Sequence, residues 1–296
     1  MQLAQARRQT TARRDLLRRP GFAQLSPAPG ELDERAVSEL DPDSALALLA
    51  EATGALDPRL RELARRLAGR VVLRLRGDPV RRRRGVGRLV RGSARHGGDL
   101  DLDASLGTVL EARAAGYAPS VEDLVACRWA PPGGAVAVVI DRSGSMGGER
   151  LATAALAAAV VAARAPEHYA VLAFAGDVTV LKALDEHRSV DDVIDDVLAL
   201  RGHGPTDVAL ALDAARMQLA RAGYARCTTV LLSDCRHNAS GDADPVAAAR
   251  SLEHLVVVAP AADDADARRF AAATGGLVVT VDRPSSVPGA LAELLA

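Results

Sequence analysis

Residues 131–296 carry short, continuous apolar runs that alternate with longer segments in which apolar residues recur at helical spacing. A run that is apolar at every position is typical of a parallel strand, because helices cover both of its faces. This alternation predicts an α/β fold, a doubly wound and mostly parallel sheet flanked by helices. The expected strands are residues 135–140, 169–174, 178–181, 228–232, 255–259 and 277–281. The expected helices are residues 149–165, a helix capped by Ser189, residues 207–222, a helix near 246–252, residues 264–273 and a final helix to Leu295.

Residues 1–130 lack such strand-like runs, and their apolar spacing predicts a smaller, mainly helical N-terminal region. Residues 131–134 read Pro-Pro-Gly-Gly, which is typical of a linker. We therefore expect two domains, residues 1–130 and 131–296. The features expected before the linker are a short helix and an extended connector within residues 1–30, a helix over 43–51, a helix from Asp57 that ends at Gly69, a loop over 92–98, and a helix from Asp103 or Ser105 to about Arg113.

The two halves differ in charge. Residues 1–130 contain 23 Arg and 17 acidic residues, a balance of +6, whereas residues 131–296 contain 14 basic and 21 acidic residues, a balance of −7. Four consecutive arginines, Arg81 to Arg84, could contact nucleic acid. Only 2% of the chain is aromatic, so bases would find few side chains on which to stack. A solvated face, or docking on an acidic partner such as the chain's own negative half, is therefore favoured over nucleic-acid binding.

Several classes of protein are disfavoured by residue usage. Lys182 is the only lysine, which excludes the Gly-Lys-Ser/Thr phosphate loop. The three cysteines are odd in number and form no Cys-x-x-Cys pair, which argues against a disulfide framework and a zinc ribbon. No apolar run is long enough to span a bilayer, and the first ten residues lead into no apolar segment of a signal peptide. We expect a cytoplasmic protein that does not enter the membrane.

Three loops carry small oxygen-bearing side chains next to predicted strands or helices. Asp141, Ser143 and Ser145 follow the first strand, Thr206 precedes a helix, and Asp234 follows the strand over 228–232. Carboxylate and hydroxyl oxygens are ligands that Mg²⁺ or Mn²⁺ prefers. Because the hydroxyls are neutral, an ion held here would attract one further anionic ligand. Each loop alone has a simpler explanation, a capped turn for the first and a helix N-cap for the second.

In this order, Asp-x-Ser-x-Ser, Thr-Asp and Ser-Asp resemble the metal-ion-dependent adhesion site of von Willebrand factor A (VWA) domains. The resemblance covers roughly residues 135–296 and implies a VWA/Rossmann-like fold. It also implies that the hydroxyls of Ser143, Ser145 and Thr206 bind the ion directly. Asp141 and Asp234 are then the acidic ligands, direct or through water. Pro205 departs from the pattern, because many relatives have Gly before the Thr.

Residues before the linker resemble a narrower group. Gly-Gly-Asp-Leu-Asp-Leu-Asp at 97–103, then Trp129, the two prolines and the Val-Val-Ile-Asp at 138–141 are similar to CoxE-like bacterial VWA proteins. The Asp-Arg-Ser-Gly-Ser-Met stretch is more distantly similar to the D subunit of magnesium chelatase. Proteins of both kinds work with hexameric AAA+ ATPases, which are of the MoxR type in the first case.

The leading hypothesis is a non-enzymatic, metal-dependent interaction module that binds a carboxylate of a protein partner and acts as an adaptor for a MoxR-type AAA+ ATPase. Asp101 or Asp103 could supply that carboxylate from the same chain, although both suit helix caps better. The alternative is a subunit of a metal-chelatase-like AAA+ enzyme complex, but the long acidic, proline-rich linker that would favour it is absent. A third hypothesis is a hydrolase with His203 or His237 as its base.

Overall fold

The computed structural model describes residues 11–76, 88–94, 98–130, 134–143, 148–165, 168–202, 204–222, 226–238 and 243–294. Its strands are β1 (Arg88–Ser93), β2 (Asp99–Leu100), β3 (Val125–Ala130), β4 (Ala135–Asp141), β5 (Tyr169–Phe174), β6 (Val178–Lys182), β7 (Cys227–Leu232), β8 (His254–Pro260) and β9 (Leu277–Val281). Its α-helices are α1 (Arg13–Leu16), α2 (Phe22–Leu25), α3 (Glu34–Glu39), α4 (Pro42–Ala52), α5 (Pro58–Leu75), α6 (Leu102–Ala114), α7 (Gly148–Arg164), α8 (Val190–Leu198), α9 (Val208–Leu219), α10 (Pro245–Arg250), α11 (Ala265–Thr274) and α12 (Val287–Leu294).

Six strands form the main sheet, in the order β6-β5-β4-β7-β8-β9. All neighbours are parallel except β5 and β6. The predicted α/β fold with a mostly parallel sheet is confirmed, and each predicted strand of this half lies within one residue of its observed bounds. The chain leaves β4 toward β5 on one side and returns to β7 on the other. The carboxyl end of β4 is therefore a switch point, where ligands bind in sheets of this kind.

Helices cover both faces of the main sheet. On one face, α7 is buried on nearly all sides and rich in alanine, because it lies between the sheet and helices α4 and α5. The hydroxyl of Thr53, just after α4, donates a 2.7 Å hydrogen bond to the carbonyl of Leu198 at the end of α8. The division at residue 131 stays a prediction, but the helices before residue 76 share one hydrophobic core with this face.

A second sheet is formed by strands that precede the main sheet in the sequence. It has three antiparallel strands in the order β1-β3-β2. It was not predicted, and the loop expected over 92–98 is wrong in part, because β1 extends to Ser93 and pairs with β3. Helix α6 follows β2 and is capped by Asp101, whose Oδ1 accepts a 3.0 Å hydrogen bond from the amide of Ala104. Asp101, one of the residues expected to suit a helix cap, is confirmed as the cap of α6, and the predicted caps Asp103 and Ser105 are wrong.

Two further N-terminal predictions are wrong. Helix α5 passes Gly69 and continues to Leu75, because the buried face that includes Leu67 continues to Val72. A glycine inside a helix costs only about 1 kcal/mol, which this burial outweighs. Residues 11–30 contain two short helices, α1 and α2, where one helix and an extended connector were expected. Among all the helices that the structure describes, none is long and apolar enough to cross a membrane.

Candidate metal centre

Asp141 is the last residue of β4, and its side chain is 5% exposed. Both carboxylate oxygens accept hydrogen bonds from neutral donors. The amide of Ser143 donates to Oδ1 at 2.8 Å, and the hydroxyl of Ser233 donates to Oδ2 at 2.6 Å. These two bonds hold the carboxylate at the switch point without neutralising its charge, so it remains able to bind a cation.

Ser233 and Asp234 follow β7, the neighbour of β4. The Ser233 hydroxyl also accepts a 2.9 Å hydrogen bond from the amide of Cys235. Cys235 has a φ of 61°, the only positive φ among the non-glycine residues described, so the chain turns sharply directly after Asp234. Asp234 is 9% exposed, and its Oδ1 accepts a 3.1 Å hydrogen bond from the amide of Arg236. The turn thus places a second carboxylate beside that of Asp141.

Thr206 is linked to the same loop through Asn238. Its amide donates to Asn238 Oδ1 at 2.5 Å, and its carbonyl accepts a 3.2 Å bond from the amide of Asn238. Thr206 is 3% exposed, yet none of the described residues hydrogen-bonds to its hydroxyl. Asp207 caps α9 by accepting from the amide of Leu210, as the simpler explanation of that loop expected. The Thr206 hydroxyl therefore has capacity left for a ligand.

An ion pair and a close packing contact connect the loop after Asp141, through the turn between β5 and β6, to the loop that carries Thr206. Arg142 is 6% exposed and forms an ion pair with Asp177 in the turn between β5 and β6. In that turn, Gly176 lies so close to Pro205 that a Cβ on the glycine would be 3.0 Å from the proline Cγ. The turn also accepts a 2.9 Å hydrogen bond at Ala175 from the amide of Asp207. Pro205 is thus held in place by packing against Gly176, and this restricts the position of the adjacent residue, Thr206.

Asp141, Ser233 and Asp234 line one groove at the ends of β4, β7, β8 and β9, together with Glu149 and Arg150 from the first turn of α7. A guanidinium nitrogen of Arg150 lies 3.7 Å from Asp234 Oδ2, and another lies 4.0 Å from Asp263. The lining of the groove therefore includes four carboxylates, those of Asp141, Glu149, Asp234 and Asp282, and the guanidinium groups of Arg150 and Arg283.

A family comparison identifies this architecture. The family model of VWA domain containing CoxE-like proteins matches residues 50–284. The chain belongs to this CoxE-like family. The match includes both the candidate centre and most of the region before the linker, and VWA-type domains are generally protein-interaction modules. No protein of curated function matches the chain.

Solved structures similar to this CoxE-like protein are distant in sequence. A von Willebrand factor type A protein from Catenulispora acidiphila is 21% identical, with a TM-score of 0.46 over 58% of this chain and 44% of that one. An aerotolerance-related membrane protein from Bacteroides fragilis, solved with multiple mutations to serine, is 18% identical, with a TM-score of 0.44 over 54% and 98%. A mussel byssus proximal thread matrix protein with a zinc-occupied MIDAS motif is 14% identical, with a TM-score of 0.42 over 55% and 47%.

The nearby sulfur and nitrogen atoms of the CoxE-like centre are poorly suited to binding a cation. Burial, reinforced by the charges of Asp234 and Asp141, raises the pKa of the Cys235 thiol to about 12, so it stays protonated at neutral pH. His237 Nδ1 accepts a 3.3 Å hydrogen bond from the amide of Val208 and so helps to cap α9. Among the described residues, no group of three or more His, Cys, Asp or Glu could hold a metal. The site instead offers carboxylate and hydroxyl oxygens, which are the ligands that a hard cation prefers.

Four of the five predicted ligands lie within the described residues. The amide of Ser143 and the hydroxyl of Ser233 both donate to the Asp141 carboxylate, Asp234 follows Ser233, and Thr206 is linked to the Asp234 loop through Asn238. Ser145 lies outside the described residues, as does His203. The ligand roles of all five residues, and that of His203 as a base, stay predictions. Sequence reasoning missed the positioning roles of Ser233, Asn238 and Arg142. The Ser-Asp dipeptide after β7 was the one sequence feature that could have indicated any of these positioning roles, and it indicated only that of Ser233.

Proposed function

We propose that this CoxE-like protein is a non-enzymatic, metal-dependent protein-interaction module. A Mg²⁺ ion, or Mn²⁺ in its place, would be held by Asp141, Ser143, Ser145, Thr206 and Asp234. The proposal is carried by the hydrogen bond from Ser233 to Asp141, which joins the ends of β4 and β7 and sets two carboxylates in one groove. The Thr206 hydroxyl, which has no partner among described residues, adds a neutral ligand beside them.

The charge of the ligand set favours an acidic partner. Three of the five ligands are neutral hydroxyls, so two carboxylates just balance a divalent ion. The groove is also lined by Glu149 and Asp282 and by the guanidinium groups of Arg150 and Arg283, whose charges offset one another. An anion that occupies an open position on the ion would be attracted by the ion itself at short range. We infer that a Glu or Asp side chain of a protein partner completes the coordination, with the ion acting as the bridge between the two proteins.

The resemblance to CoxE-like proteins supports a proposal for the wider role. CoxE-like proteins are associated with MoxR-type AAA+ ATPases, and we propose that this chain acts as an adaptor between such an ATPase and a client protein in the cytoplasm. The metal centre would bind one of the two. The basic N-terminal region, with its balance of +6, offers a separate surface for the other.

Capture of partners from a cell lysate tests the proposal. The immobilised full chain is incubated with lysate in Mg²⁺ and, separately, in EDTA, and the Asp141→Ala variant is incubated in Mg²⁺. We expect a set of proteins, an AAA+ ATPase or its client among them, that is retained only by the parent chain in Mg²⁺. Asp213→Ala, which removes an exposed carboxylate on α9, is the matched control and should retain the same set. Identical proteins under all conditions would show that no metal bridges the interaction.

A further inference from the structure

Helix α6 presents its largest apolar side chains to solvent. Leu102, Leu106 and Leu110 are 71%, 54% and 57% exposed. Their spacing of four residues places them in one stripe along the helix. A contiguous apolar stripe on a short surface helix is characteristic of an interface with another molecule.

The opposite side of α6 explains why the leucines are not needed for its own packing. Ser105 and Ala112 are the buried residues of the helix. The Ser105 hydroxyl accepts a 2.9 Å hydrogen bond from the amide of Val125 and donates a 3.2 Å bond to its carbonyl, which fastens α6 to β3. The helix is therefore attached through small and polar residues, and the leucine stripe is left for a partner.

The charges at the two ends of the stripe indicate which partner fits. Arg113 falls on the leucine stripe at the carboxyl end of α6, and it is exposed. The exposed side chains of Asp99 and Asp103 lie at the other end. If two copies of α6 pack antiparallel with Leu106 facing Leu106, then Leu102 faces Leu110, and the helix end that carries Arg113 lies beside the end of the second copy at which Asp99 and Asp103 lie. A parallel arrangement would instead place Arg113 against Arg113.

We propose that α6 is a homodimer interface in which the helix packs antiparallel against α6 of a second copy, with Leu106 on the two-fold axis. The leucine stripe can pack against its own copy, and the two ends of the helix carry opposite charges that meet in a closed two-fold contact. It is separate from the metal groove, so dimerisation and metal binding are independent. The dimer would present two metal centres to partners and thereby increase avidity.

Disulfide trapping tests the arrangement in the full chain. Leu106→Cys should form a covalent dimer under mild oxidation, because the two thiols would face each other across the axis. Leu102→Cys alone should not, because eight residues of helix, about 12 Å, would separate it from its copy along the antiparallel pair. An equimolar mixture of Leu102→Cys and Leu110→Cys should cross-link. The parent chain, which has partly exposed Cys127 and Cys227, gives the background.

Sedimentation at about 100 µM chain provides the second measurement, since an interface this small is expected to be weak. The parent should sediment as a dimer and Leu106→Glu as a monomer with an unchanged circular dichroism spectrum. Two results would overturn the proposal. One is a monomeric parent whose Leu106→Cys variant cross-links no more than background, and the other is efficient self-cross-linking of Leu102→Cys, which indicates a parallel pair.

Discussion

The hydroxyl of Ser233 donates a 2.6 Å hydrogen bond to the carboxylate of Asp141. The two residues are 92 positions apart in the chain, and the bond joins the carboxyl ends of adjacent parallel strands, β4 and β7. Because the same hydroxyl accepts from the amide of Cys235, it also sets the turn that carries Asp234. One serine thus positions both acidic residues of the candidate metal centre.

Replacing that serine should weaken metal binding without unfolding the protein. Outer-shell partners of metal ligands typically contribute about 10- to 100-fold in affinity, and we expect Ser233→Ala to reduce Mn²⁺ affinity by a similar factor. Isothermal titration calorimetry measures the change. Ser38→Ala, an exposed serine on α3, is the matched control. An unchanged affinity in Ser233→Ala would show that Asp141 is positioned by other contacts.

The contact between Gly176 and Pro205 predicts a second, indirect effect on the centre. In Gly176→Ala the new Cβ would approach the Pro205 Cγ to 3.0 Å, so the loop that carries Thr206 must move. We expect weaker Mn²⁺ binding with little loss of thermal stability. The double variant Gly176→Ala, Pro205→Gly removes the clash and should recover much of the affinity. Equal loss in the single and double variants would show that Gly176 acts in some other way.

Removing the N-terminal helices should leave the VWA-like half insoluble. Helices α4 and α5 cover α7, whose exposed flank would then be a continuous surface of alanine and leucine. A fragment of residues 131–296 is expected to aggregate, whereas the full chain remains in solution, and size-exclusion chromatography distinguishes the two. A monomeric fragment with a cooperative melting transition would establish residue 131 as a true domain boundary.

The raised pKa of Cys235, about 12, predicts that its thiol does not react in the folded protein. At pH 8 almost none of it is thiolate, the species that attacks disulfide reagents. We expect Cys235→Ala to leave the number of reactive thiols unchanged under native conditions and to lower it by one after denaturation. Because this pKa is raised, the folded protein should also lose stability as the pH rises above about 9, where the unfolded thiol ionises. Native labelling of Cys235 at the rate of a free thiol would contradict the first expectation.

The parts of this fold that sequence could predict are those in which pattern and burial coincide. The segments predicted as β4 and β8, residues 135–140 and 255–259, are apolar at every position because helices cover both faces, so the bounds of these strands were evident. The sheet of β1, β2 and β3 was missed because its strands are short, and because exposed residues such as Leu89 and Trp129 give no alternating pattern. Long-range pairing set these strands, and local sequence carries little information about it.

The candidate metal centre likewise contains residues that could be predicted from the sequence and residues that could not. Asp141 and Asp234 could be identified because the first directly follows an apolar run and the second comes two residues after another, and the ends of parallel strands meet at one edge. The roles of Asn238 and Arg142 depend on partners in distant loops, Thr206 and Asp177, and no local pattern marks such a pairing. The start of helix α6 was predicted only approximately, because the sequence offered Asp101, Asp103 and Ser105 as caps, and of these only Asp101 caps the helix.

Titration of the full chain with Mn²⁺, followed by electron paramagnetic resonance, tests the central claim most directly. Binding to the protein broadens and removes the sharp signal of the free ion. The account predicts a single bound ion per chain at submillimolar to millimolar Mn²⁺, displaced by excess Mg²⁺, lost in Asp141→Ala and retained in Asp213→Ala. A folded parent chain that leaves the free-ion signal undiminished up to millimolar Mn²⁺ would contradict it.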